Sequence, residues 1–101
     1  MSTTSTEISV QVGAAWSQHY QGKVSEALSQ FEQIVARAPE HLDANFGLAL
    51  CLKTAARKQA AIEAFTKTRD LAQKQKTDDD DEGVRNRMIA RMVDQQLAIL
   101  R

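Results

Sequence analysis

Little in this chain could cross-link it, and little could interrupt a helix. Cys51 is the one cysteine among 101 residues, so no internal disulfide can form. One proline and four glycines leave long stretches free of the residues that break helices. Aromatic residues make up only 5% of the chain. Each of Trp16, Tyr20, Phe31, Phe46 and Phe65 is therefore a core or contact candidate. Charge of either sign is balanced, 13 basic against 13 acidic residues. That balance argues against a nucleic-acid partner, which a basic excess would favour. No apolar run approaches the roughly 18 residues that suggest a membrane span, so no membrane partner is expected. Met1 to Glu7 is rich in Ser and Thr, with no basic residue and no apolar segment after it. That is not the pattern of a secretory signal, and the chain reads as cytoplasmic.

What is present favours helix. Hydrophobic residues are 43% of the chain, enough for one domain-sized core. Ala, Gln, Leu, Arg and Lys are frequent, all good helix formers. No alternation of β-branched residues argues for strands. Residues 1–6 read as a flexible tail, with Thr6 placed to cap a helix running to Tyr20. Ile8, Val12, Ala15, Trp16 and Tyr20 recur at helical spacing along it. Gly22 ends this helix, as a residue free to take positive φ. A second helix, about Val24 to Ala38, carries the stripe Ala27, Leu28, Phe31, Ile34 and Val35. Pro39 closes it by disfavouring helical backbone at Ala38. A third, about His41 to Ala55, is apolar over most of its circumference, which predicts a helix sandwiched between neighbours. A fourth runs from about Lys58 to Lys74. An acidic loop follows over residues 76–83, then a last helix over 84–101, its first turn reaching back to about Asp81. Its expected stripe is Val84, Met88, Ile89, Met92, Val93, Gln96, Leu97 and Leu100.

The chain also repeats itself. Gly22, Ala27, Phe31 and Ile34 recur as Ala56, Ala61, Phe65 and Thr68, each pair 34 residues apart. A period of that size marks stacked helical repeats. The run Ala27, Phe31, Pro39, repeated as Ala61 and Phe65, resembles the tetratricopeptide repeat, and Leu48-Ala49 resembles its Leu-Gly element. The resemblance covers about residues 8–75, as repeat one (8–41) and repeat two (42–75). It implies an all-α fold, a right-handed superhelical stack of antiparallel helix pairs with about five helices. Residues 7–101 would form that single domain. Small pairs, Ala15 with Ala27 and Ala49 with Ala61, would let helices approach closely, and Phe31 and Phe65 would fill the space to the next pair. The sequence departs from the pattern at Ala14-Ala15, Gln11, Gln18 and Thr68, and lacks the second proline. The last helix resembles the polar-faced helix that ends such arrays.

Candidate chemistry is sparse. His19 and His41 lack neighbouring Cys or His at ligand spacing, so no metal site is expected. Asp78-x-Asp80-x-Glu82-Gly83 matches half of a calcium loop, but Ile89 stands where the bidentate acid belongs. Cys51 lies within the apolar third helix and reads as a small buried hydrophobe. No activated nucleophile stands out, so the chain is read as no enzyme, with no cofactor.

In the family that the repeats resemble, the first helix of each pair lines a concave groove that holds a partner peptide or helix. Carried over, that surface comprises Val12, Trp16, Tyr20, Asp43, Phe46, Leu50 and Lys53, with Ser9, Gly13 and Gly47 beside them. The Lys and Asn residues with which some members clamp acidic tails are replaced by Val12, Trp16 and Gly47. The resemblance implies a non-catalytic module binding a protein or peptide partner. Two other arrangements use the same apolar face: it could meet a second copy in a homodimer, or the last helix could fold across it.

Overall fold

The computed structural model describes residues 5–75 and 81–100. It is built from α1 (Ser5–Tyr20), α2 (Val24–Arg37), α3 (Leu42–Thr54), α4 (Lys58–Lys74) and α5 (Asp81–Leu100). The start of the first helix differs from the sequence reading. The helical backbone of α1 begins at Ser5, one residue before the position read as its cap. The helical backbone of α5 begins at Asp81, where the sequence reading has its first turn. The start of the calcium-like run, Asp78 and Asp80, lies outside the described residues.

Each helix packs on the next in sequence. Short turns force this: a connection of a few residues leaves the chain only enough length to reverse direction. The odd-numbered helices also touch one another, α1 against α3 and α3 against α5, while among the described residues α2 and α4 do not meet. Odd helices therefore line the inner side of the stack, and even helices the outer side. The sandwiched position of α3 explains its all-round apolarity. Leu42, Phe46, Ala49 and Leu52 join the core with α4 and α5, while Ala44 and Cys51 join the core with α1 and α2.

The repeat is visible in the packing. Ala15, Ala27, Ala49 and Ala61 are all fully buried, as are Phe31 and Phe65. Thr68, which replaces a usual alanine, is buried too, its hydroxyl donating to the Ala64 carbonyl at 2.8 Å. That bond removes the cost of burying an unpaired hydroxyl. The two turns are copies. Gly22 takes φ +81°, its amide donates to His19, and the Lys23 amide donates to Gln18 at 2.9 Å. Ala56 takes φ +62°, its amide donates to Lys53, and the Arg57 amide donates to Leu52 at 3.0 Å. This pair of bonds satisfies carbonyls that the helix end leaves open.

The last helix closes the stack on α4. Ile89, Val93 and Leu97 enter the core, and Asn86 donates to the Gln75 carbonyl at the end of α4 at 3.1 Å. The buried set Asn86, Ile89, Val93 repeats the spacing of Ala44, Gly47, Cys51, so α5 stands to α4 as α3 stands to α2. In that register Ala49 and Leu52, which join the core on the α4 side of α3, correspond to Arg91 and Asp94. Charged residues thus occupy the face that a further helix would have covered. Met88 and Met92, read from sequence as part of the core stripe, are instead 55% and 39% exposed. They fall on the register positions of Phe46 and Leu50.

Candidate functional site

The inner side of the stack is where the sequence-selected residues gather. Trp16 sits at its centre. Its indole lies 5.4 Å from the Phe31 ring, edge-on, and 6.1 Å from Phe46. It touches both halves of the core while remaining half-buried. Tyr20, one turn later on α1, stacks on it at 5.9 Å and is 79% exposed. His19 adds an edge contact to Trp16 at 5.8 Å. An aromatic pair held rigid from beneath and open above is the kind of surface on which interface energy concentrates.

From α3, Leu50 is half-buried and Lys53 partly so; the Lys53 ammonium donates to Gln96 of α5. Val12 and Phe46 are core residues, at most 5% exposed. They serve as floor and support, not as presented contacts. Gly47, taken from sequence as facing the groove, is buried against Phe31. Gly13 and Ser9 are exposed on α1.

A cleft of about 820 Å³ opens on this side, between Val12, Gly13 and Trp16 of α1 and Ile89 of α5, with Leu42 and Asp43 at its base. Its rim at the α2–α3 turn is built by local bonds. Asn45 is almost fully buried and donates to the carbonyls of Pro39 at 3.1 Å and His41 at 2.7 Å. His41 Nδ1 accepts the Ala44 amide at 3.2 Å and so caps α3. Gln75 reaches from the end of α4 to the Glu40 carbonyl at 2.6 Å. The backbone at Glu40, on the cleft's acidic rim with Asp43, is thereby tied to the end of α4.

The last helix does not lie across this surface. It packs on α4 and touches the edge of α3; among the described residues it does not pack on α1. It walls the cleft instead of closing it. The methionines on its inner edge were missed as surface residues because their spacing also fits the core stripe. Registering α5 on α3 by burial separates the two.

Burial pushes the Cys51 thiol up to about 11, so the nucleophilic thiolate is scarce at neutral pH. Among the described residues no three His, Cys, Asp or Glu side chains converge as a metal site. No described helix is long and apolar enough to cross a membrane.

Residues 12–76 match a protein-family model described as Tetratricopeptide repeat. No curated protein and no solved structure matches the chain.

Proposed function

Because the chain belongs to the tetratricopeptide repeat family, whose repeats generally mediate protein–protein interaction, we propose that it is a binding module without catalytic activity. Its partner is a peptide or helical segment of another protein. The binding surface is the inner face, with Trp16, Tyr20, Leu50 and Lys53 as contacts and Val12, Phe46 and Asp43 beneath and beside them. The observation that carries this reading is the Trp16–Tyr20 stack. A large ring left 79% exposed, yet ordered against a partly buried indole, loses little freedom on binding. The exposed apolar surface around it marks a contact site.

The test is a selection of displayed random peptides on the full chain, followed by Tyr20→Ala. Tyr20 contributes little to the core, so the variant keeps its helicity and melting temperature. Loss of peptide binding supports the reading. Unchanged binding of every selected peptide contradicts it. A dimer in solution that Tyr20→Ala dissociates would place the same face between two copies and replace the peptide reading.

A further inference from the structure

The inner face has a third wall that the repeat pattern does not supply, and its chemistry differs from the rest. On α5, Met88 and Met92 are exposed at successive turns, and Ile99 continues their line at 68% exposure. Two cations border this stripe. Arg91 follows Met88 by three residues, about one turn along the helix, and is exposed. Lys53 of α3 lies on the inner side, held to Gln96. Asp94 is the one acid in residues 86–100, and its carboxylate is paired with Arg69 of α4 at 3.2 Å.

We infer that the α5 wall receives an acidic amphipathic helix, its apolar side on Met88 and Met92 and its carboxylates toward Arg91 and Lys53. This deepens the proposed function by giving the partner segment its chemistry. Methionine side chains are flexible and polarisable, so they mould to apolar residues of varied shape. A helix laid along a groove presents apolar anchors at i and i+4, the spacing of Met88 and Met92 themselves. Opposed charges at the border fix the direction of the bound helix and exclude basic segments.

The probe is a displayed library of random peptides about four helical turns long, selected on the full chain at low salt. The expected peptides carry Asp or Glu beside an apolar pair three or four residues apart. Arg91→Glu weakens their binding roughly fivefold, an effect that shrinks with added salt. Met88→Gln with Met92→Gln abolishes it while the melting temperature holds, since both residues are exposed. Basic or uncharged selected peptides, or acidic ones indifferent to these changes, overturn the inference. If such peptides still require Tyr20, the inner-face reading survives and only the α5 assignment falls. Binding to phosphatidylserine vesicles through the same residues, or a dimer dissociated by the double methionine change, also overturns it.

Discussion

The ring of Phe31 lies where a side chain on Gly47 would have to be. A Cβ built on Gly47 overlaps three atoms of that ring. Phe31 is fully buried, and its far face meets Trp16 edge-on at 5.4 Å. One missing methyl on α3 thus lets α2 approach, and the same ring supports the indole from beneath. The proposed binding surface is coupled to the repeat-to-repeat junction through these three residues.

Gly47→Ala should therefore destabilise the fold although alanine is the better helix former. Ring and backbone must move apart, and overpacking of this kind costs about 1–3 kcal/mol. Denaturant unfolding measures it. A Gly47→Ala variant as stable as the parent would show that the junction is loosely packed.

The turn before α4 predicts the opposite sign. Ala56 is held at φ +62°, where a Cβ meets the following carbonyl at a cost of roughly 1–2 kcal/mol. Gly22 fills the same position in the first repeat without that cost. Ala56→Gly should raise stability by about 1 kcal/mol, after the added freedom of glycine in the unfolded chain is offset. A lower melting temperature would contradict this.

Cys51 gives a probe of opening. It is fully buried, and its thiol is pushed up to about 11 by burial. The unfolded thiol titrates near 8.5. The resulting contribution to stability is complete below that value and is lost as pH rises toward about 11. A thiol reagent at pH 8 should label the native chain only as fast as it unfolds, and denatured chain at once. Rapid labelling of the folded protein would show that α3 is accessible.

The helix order, the turns and the paired alanines were legible in the sequence because they depend on local backbone preference and on a repeat that copies itself. The surface was legible only in outline. The family resemblance placed Val12, Phe46 and Gly47 on the inner side, and the structure buries all three. How far each projects depends on the ring of Phe31 and on the approach of α2, which no single helix encodes. The α5 methionines were hidden for a related reason. Their spacing fits a buried stripe, and only the side on which α4 packs decides which residues of the helix stay out. Trp16 shows the limit most clearly. It is packed against the core as well as being a proposed contact, so truncating it should lower stability along with binding, and Tyr20 is the cleaner probe.

The inner face itself is best tested by amide chemical-shift mapping of the full chain against a selected peptide. The account predicts that perturbations follow one side of the odd-numbered helices, through Trp16 and Tyr20, Leu50 and Lys53, and Met88 and Met92. Outer residues such as Glu32 on α2 and Lys67 on α4 should stay unmoved. Perturbations centred on α2 and α4, with Tyr20 and Leu50 unchanged, would contradict it.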